Sequence, residues 1–153
     1  DRACRRSSVV GTLTAVDGIE SRREARRQAV FLLYQRDVTG LPIDELEGNA
    51  ERDRRRVLDA YTRAMVTGVQ DGAESIDAAI DRAAKGWSVE RIAPLERNIL
   101  RVAIHEITSR EDIPTAVAID EAVETAKRYC QADAASFVNG VLGAVAHEIG
   151  SAA

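Results

Sequence analysis

The sequence predicts an all-α protein, and three observations support that fold class. After residue 20, apolar residues recur three and four positions apart through almost the whole chain, which is the period of an amphipathic helix. Helix starts and stops, such as Gly40, Pro42 and Pro94, fall between these periodic segments. No convincing pair of strands competes with this pattern. We therefore expect about seven helices arranged in two antiparallel bundles.

The length and composition fit one folded domain, or two small ones that share a core. The chain has 153 residues, of which 45% are hydrophobic and 30% are charged, and these proportions are typical of globular proteins. No apolar run approaches the roughly 20 residues of a membrane span, and no signal-peptide pattern is found. Cys4 and Cys130 lack metal or redox spacing, so we expect two free thiols in a reducing cytoplasm, with no metal and no cofactor.

The net charge of −4 conceals a difference between the two halves of the chain. Residues 1–66 carry a net charge of +2, whereas residues 67–153 carry −6. A globally acidic protein is a poor non-specific ligand for nucleic acid, so any contact with RNA or DNA must be local. The acidic half is better suited to a basic protein partner.

Residues 1–20 do not follow the helical pattern. Their charged and apolar residues, among them Arg5, Val9 and Val16, keep no helical period. We interpret this segment as a disordered or expression-derived extension, with a short strand as the lesser alternative. The folded domain is then expected over residues 21–150.

The first helix is predicted over residues 21–39 and is the most informative segment of the chain. Ser21 and Glu24 have the spacing of a capping box, which fixes the helix start. Gly40 supplies the C-terminal stop. The first two turns of this helix contain a cluster of basic residues: Arg22, Arg23, Arg26 and Arg27.

These arginines indicate a surface that meets an anion. Cations at a helix N-terminus oppose the helix dipole by about 0.3–1 kcal/mol each, so local helix stability does not select them. Arg22 lies almost in line with Leu33 of the apolar stripe, and we therefore expect the helix tip to overhang the domain with its guanidinium groups free. Guanidinium suits phosphate because it makes bidentate contacts. The alternative is an ordinary solvated helix start in an arginine-rich protein.

Three helices are predicted between residues 42 and 83. Pro42 opens a short helix that ends at Gly48. Asp71 and Glu74 repeat the capping-box spacing and begin the third of these helices. The second, over residues 52–70, has an inward face formed by Leu58, Tyr61, Met65 and Val69.

Three further helices are predicted after a break at Trp87. Ser88 is expected to cap a short turn, and Pro94 is expected to open the fifth helix. The sixth helix follows Pro114, and the last begins after Asp133, which we interpret as its N-cap.

The last helix contains one conflicting signal. Asn139 and Gly140 stand between apolar pairs, which is a typical hairpin pattern. Because no other strand is available to complete a sheet, we interpret the segment as helix, with Gly140 allowing close approach of a neighbour.

The chain shows no catalytic signature. It has no P-loop, no strand-borne GxGxxG and no HExxH motif. The two histidines lie on different helices, and His105 is expected to be a half-buried helix residue rather than a base. Glu121 and Glu124 are typical of a solvated helix face. We therefore predict no enzyme activity, and we interpret most aromatic residues as core: Tyr34, Tyr61, Trp87, Tyr129 and Phe137.

Three blocks of the sequence together resemble a known family. The first is the arginine-rich segment 22–34, which closes with Leu33-Tyr34. The second is residues 95–107, and the third runs from Asp112-Ile113-Pro114 to the Phe137–Leu142 segment. From about residue 21 to residue 146 the chain resembles the NusB family of bacterial transcription antitermination factors.

The resemblance implies two three-helix bundles, no catalysis, and a role in RNA recognition. Family members pair with the ribosomal protein NusE, recognise the single-stranded boxA element of nascent RNA, notably in ribosomal RNA leaders, and help elongating polymerase to resist termination. By position, the resemblance assigns RNA contact to Arg22, Arg23, Arg26, Arg27 and Tyr34. It assigns the basic partner's surface to Glu96, Thr115, Asp120, Glu121, Asp133 and Phe137.

Two departures and two alternatives accompany this resemblance. The family often has a basic residue where this chain has Glu24, and an aromatic residue where it has Thr115. The chain also resembles the N-terminal module of ribosomal RNA cytosine methyltransferases. The given sequence ends with the short tail 143–153 and contains no catalytic domain, so we expect a stand-alone protein. A helical scaffold without an RNA role is the second alternative, and self-association is left open.

Overall fold

The computed structural model describes residues 22–152, which form seven α-helices and one short 3-10 helix, with no strand in that range. The predicted all-α fold is therefore confirmed. None of the described helices is both long and apolar enough to cross a membrane. In chain order the helices are α1 (22–39), α2 (Ile43–Arg54), α3 (Ala60–Asp71), α4 (Ala73–Ala83), the 3-10 helix (Val89–Arg91), α5 (Pro94–Ser109), α6 (Thr115–Tyr129) and α7 (Ala134–Ala152).

One hydrophobic core joins all seven helices. Helices α5, α6 and α7 each pack against the other two, and α3 and α4 pack against α5. Helix α1 closes the core with Ala29 and Leu33, which are fully buried, as is Leu100 of α5. Burial of a leucine side chain contributes about 1.5–3 kcal/mol. This packing holds α1 in a fixed position on α3, α5 and α6.

Several predicted helix ends are confirmed. Gly40 has φ +74°, and its N–H donates to the Arg36 carbonyl at 2.9 Å. It therefore ends α1 in the left-handed conformation, which glycine adopts with little strain. Pro94 is the first residue of α5. Asp133 stands directly before α7, and its carbonyl oxygen accepts from the Phe137 N–H at 3.2 Å. The predicted Ser21 cap and the extension before it lie outside the described residues.

The boundaries between α2 and α4 differ from the predictions. Helix α2 continues through Gly48 to Arg54, because a single helical glycine costs only about 1 kcal/mol. Helix α3 therefore begins later than predicted, at Ala60, where the Asp59 carboxylate accepts from the Tyr61 N–H at 2.8 Å.

The other two predicted caps are also wrong. Gly72, not Asp71, precedes α4 and provides no side-chain cap, because Asp71 is the last residue of α3. Ser88 makes no capping hydrogen bond before the 3-10 helix. At the start of α4 the Ile76 N–H donates to the Gly72 carbonyl at 2.8 Å. At the start of the 3-10 helix the Val89 N–H donates to the Asp81 carboxylate at 2.8 Å.

The close helix approach occurs at a different glycine from the one predicted. The segment around Gly140 is helical as expected, but a Cβ atom on Gly140 would meet nothing within 4 Å. A Cβ atom on Gly68 of α3 would instead lie 2.1 Å from the His105 ring. Gly68 therefore lets α3 pack closely on α5, and His105 is the half-buried helix residue that was predicted.

Candidate nucleic-acid interface

The leading end of α1 holds Arg22 above an aromatic ring. Its guanidinium carbon lies 4.6 Å from the centroid of the Tyr61 ring, and that of Arg110 lies 5.0 Å from the same centroid. Such cation–π contacts contribute about 0.5–1 kcal/mol at exposed sites. Arg22 also lies 3.6 Å from Asp112, and its side chain stays 44% exposed. Stacking thus holds the Arg22 guanidinium in place without covering it.

Arg26 departs from the expectation that all four arginines project freely. It is only 7% exposed, and its Nε and Nη2 atoms donate to the two oxygens of Glu106 at 2.6 and 2.8 Å. The Tyr61 hydroxyl donates to the same carboxylate. Burial alone would lower the pKa of Arg26, but the hydrogen bond and charge of Glu106 raise it. Arg26 is therefore a buried residue that links α1 to α5 through its ion pair with Glu106, and it does not project into solvent.

The helical period explains this burial. Arg26 stands one heptad before Leu33, so it lies about 20° from a fully buried position on α1. Glu106 likewise stands one heptad after Ile99, which is buried on α5. Sequence reasoning missed Glu106 as a partner, although its place on the apolar stripe of α5 was the available signal. Burial and the hydrogen bond to Glu106 raise the pKa of Tyr61 to about 12, so this phenol remains protonated and donates.

A second face of α1 is open. Arg23, Arg27 and Tyr34 fall within an arc of about 40° at 100° per residue. Arg23 donates from Nε to Glu121 at 2.9 Å, yet its side chain remains 57% exposed. The Arg27 guanidinium carbon lies 5.8 Å from the centroid of the Tyr129 ring. Tyr34 is half-buried two turns further along the same face.

This face borders a groove between α1 and α6 with a volume of about 540 Å³. Positive groups outnumber carboxylates in it, and Arg128 also stacks at 5.4 Å from the Tyr129 ring centroid. Tyr129 was expected in the core, but it is 37% exposed, because it ends α6. The groove is lined by Arg23, Arg27, Glu121, Glu124, Thr125, Lys127 and Arg128.

Three of the residues assigned to a partner surface meet in another cavity. Glu96, Asp133 and Phe137 line a space of about 380 Å³ where the starts of α5 and α7 come together. Trp87 also lines this cavity and is 54% exposed, so its predicted place in the core is wrong. Burial, followed by the charge of Asp133, raises the pKa of Glu96. Arg91 also lines the cavity, so the carboxylates exceed the positive charges by one. This excess of negative charge beside two aromatic rings suits a cationic side chain.

The other three partner-surface residues lie apart from that cavity. Thr115 and Asp120 are exposed on α6 but do not line it. Glu121 was expected to face a partner, but it is largely covered and pairs with Arg23 at 2.9 Å and Arg26 at 3.8 Å. It therefore already serves as the counter-charge for the arginines of α1.

The chain is similar to known proteins of one family. The NusB family model matches residues 23–147. A curated relative from Rubrobacter xylanophilus, transcription antitermination protein NusB, is 46% identical over 122 residues, which are 80% of this chain and 87% of the relative.

Solved structures give the same result. NusB of T. maritima superposes with a TM-score of 0.74 at 32% identity, covering 83% of this chain and 91% of that one. The NusB chain in a crystal structure of antitermination factors NusB and NusE in complex with dsRNA superposes with a TM-score of 0.75 at 28% identity, covering 84% and 98%. The chain therefore belongs to the NusB family of transcription antitermination proteins, a non-catalytic family.

Proposed function

We propose that this protein, together with the ribosomal protein NusE, binds the boxA element of nascent RNA, notably in ribosomal RNA leaders, and supports processive transcription by the elongation complex. The observation that carries the proposal is the set of arginines at the leading end of α1: Arg22 and Arg23 are exposed and Arg27 is half-buried. The related NusB found with NusE and dsRNA supports the same assignment.

The arginines of α1 are suited to hold RNA by its phosphates. Guanidinium groups bind phosphate oxygens in pairs but carry little sequence information. Arg22 and Arg27 rest on tyrosine rings, so each loses little side-chain freedom when it meets a phosphate. Tyr34, on the same face as Arg27, is the candidate for stacking on an unpaired base. Sequence preference must then come mainly from the complex with the partner.

The acidic cavity is the proposed place for NusE. Glu96, Asp133 and Phe137 line it together, and the half of the chain that supplies them is the more acidic one. Thr115 and Asp120, exposed on α6, are proposed as outlying contacts. Glu121 is left out of this surface because it already pairs with Arg23 and Arg26.

Loss of Arg22 and Arg23 should weaken RNA binding in a salt-dependent way. Each phosphate contact on single-stranded nucleic acid contributes about 0.7 to the slope of log K against log salt concentration. Arg22→Ala with Arg23→Ala should therefore lower that slope by about 1.4. The measurement is fluorescence anisotropy of a labelled boxA RNA, titrated with protein and NusE at several salt concentrations.

Arg82→Ala is the control for this experiment. Arg82 is an exposed arginine on α4 that pairs at 2.9 Å with Glu148 of α7, so its loss removes one positive charge from a surface formed by α4 and α7. It should leave the slope unchanged. An Arg22/Arg23 variant with the affinity and slope of the wild type would remove RNA contact from this end of α1.

Glu96→Gln should separate partner binding from folding. The surroundings of Glu96 disfavour its charged form, since burial and the charge of Asp133 raise its pKa. Removal of the charge should therefore leave the thermal unfolding midpoint unchanged or raise it. Association with NusE, measured by calorimetry, should weaken about tenfold, because a charged hydrogen bond contributes roughly 1.5–3 kcal/mol.

The control for this variant is Glu45→Gln, on the exposed first turn of α2. It should leave association with NusE unchanged. Unaltered association in Glu96→Gln, or a large loss of stability, would show that Glu96 has a structural role instead.

A further inference from the structure

A run of arginines forms the turn between α2 and α3. Residues 54–57, which we call the arginine loop, consist of three arginines followed by a valine, and all four are exposed. Val57 is 77% exposed at the end of this run. Arg55 and Arg56 pair with no carboxylate within residues 22–152. Two exposed guanidinium groups therefore have no counter-charge among the residues that the structure describes.

Both ends of the arginine loop are fixed beside the first turns of α1. At its start, Arg54 Nη1 donates to Glu24 Oε1 at 3.2 Å. After the loop, the Tyr61 ring lies under Arg22, and the Thr62 hydroxyl donates to the Ala25 carbonyl at 2.9 Å. The loop therefore lies alongside the exposed arginines of α1.

The contact between Arg54 and Glu24 also changes the charge of that surface. Glu24 places a carboxylate among the arginines of α1, which would repel a phosphate. Arg54 supplies a positive charge next to it from another helix. Because Arg54 already neutralises the Glu24 carboxylate, Arg55 and Arg56 can extend the positive surface of α1.

The backbone of the loop does not account for the choice of arginine. Arg55 has φ +54°, in the left-handed region. Its N–H donates to the Arg52 carbonyl at 3.3 Å, and the Arg56 N–H donates to the Glu51 carbonyl at 3.2 Å. This is a helix C-terminal motif in which glycine is the usual residue because it adopts the left-handed conformation without strain. Position 55 therefore carries an arginine where the backbone conformation favours glycine.

We propose that Arg55 and Arg56 bind phosphates of the same RNA strand that meets α1, and so lengthen the RNA-binding surface across the start of α3. This inference rests on the proposed function of α1. The recognised group is the phosphodiester backbone, since the loop offers guanidinium groups and no exposed aromatic ring or amide for reading a base.

The test is the double variant Arg55→Gly with Arg56→Ala. Glycine fits the left-handed backbone at position 55, so the variant should unfold at the same temperature as the wild type or at a higher one. With NusE present and a labelled single-stranded boxA RNA extended at both ends, the slope of log K against log salt concentration should fall by about 1.4. Arg82→Ala should leave the slope unchanged.

The arginines of α1 provide the second comparison. A reduced slope for Arg22→Ala with Arg23→Ala, but an unchanged slope for the loop variant, overturns the loop proposal and leaves the function of α1 in place. Unchanged slopes for both variants overturn both proposals. If the loop variant keeps its slope but associates less tightly with NusE, the loop binds protein and the proposal is wrong.

Discussion

Replacement of Glu106 by alanine should destabilise the fold by about 3–5 kcal/mol, the usual loss when one partner of a buried ion pair is removed. Glu106 has no solvent exposure, and it accepts from Arg26 at 2.6 and 2.8 Å. The Tyr61 hydroxyl also donates to it. The variant would leave a buried guanidinium and a buried phenol without their acceptor. Since a domain of this size is stable by about 5–15 kcal/mol in total, this loss is a large fraction of the free energy of unfolding.

Urea denaturation, monitored by circular dichroism, measures this loss. The informative control is the triple variant Arg26→Met, Tyr61→Phe and Glu106→Leu, which removes the Glu106 carboxylate together with both of its hydrogen-bond donors. Because apolar residues of similar size often replace a buried ion pair without loss, the triple variant should be more stable than Glu106→Ala. A Glu106→Ala protein with the wild-type denaturation midpoint would show that the cluster contributes nothing to stability.

The helix order could be predicted from the sequence because each helix has its own apolar stripe, with helix-breaking residues between the helices. The stripes of α3 to α7 identify the buried faces, and Gly40 and Pro94 mark helix ends that the structure has. The prediction failed at Gly48, where a local helix breaker was overridden. Helix α2 continues because one helical glycine costs only about 1 kcal/mol. Arg54 at its end also contacts Glu24 of α1, and a contact between helices is not visible in a local pattern.

The site could be predicted only in part, for the same reason. The sequence located the arginines on α1, but their partners come from distant helices: Glu106 lies 80 residues from Arg26, and Glu121 lies 98 residues from Arg23. No spacing rule within one helix connects such pairs. The arginine loop was missed because a run of charges in a turn is indistinguishable from a solvated surface until its neighbours are known.

Replacement of Asp37 by asparagine should also cost about 3 kcal/mol, because it removes the shared anion of a second, largely covered network. Asp37, near the end of α1, accepts from Arg97, Asn98 and Arg101 of α5 at 3.0, 3.0 and 2.9 Å. Arg101 also donates to both oxygens of Asp77 at 2.9 and 3.0 Å. The network therefore joins α1, α4 and α5. Loss of the Asp37 charge leaves Arg97 and Arg101 with an excess of positive charge.

The pH dependence of stability distinguishes this role of Asp37 from simple packing. Burial raises the pKa of Asp37, but the Asn98 hydrogen bond and the charges of Arg101 and Arg97 outweigh burial and lower it. A carboxylate whose pKa is lower in the folded state stabilises the fold above its unfolded pKa, about 3.9, and loses that contribution as the pH falls through the folded value. The free energy of unfolding of Asp37→Asn should therefore vary less than that of the wild type between about pH 5 and pH 2. Asp53→Asn, at an exposed position on α2, should keep the wild-type profile. Equal acid sensitivity in Asp37→Asn and the wild type would mean that other carboxylates control acid unfolding.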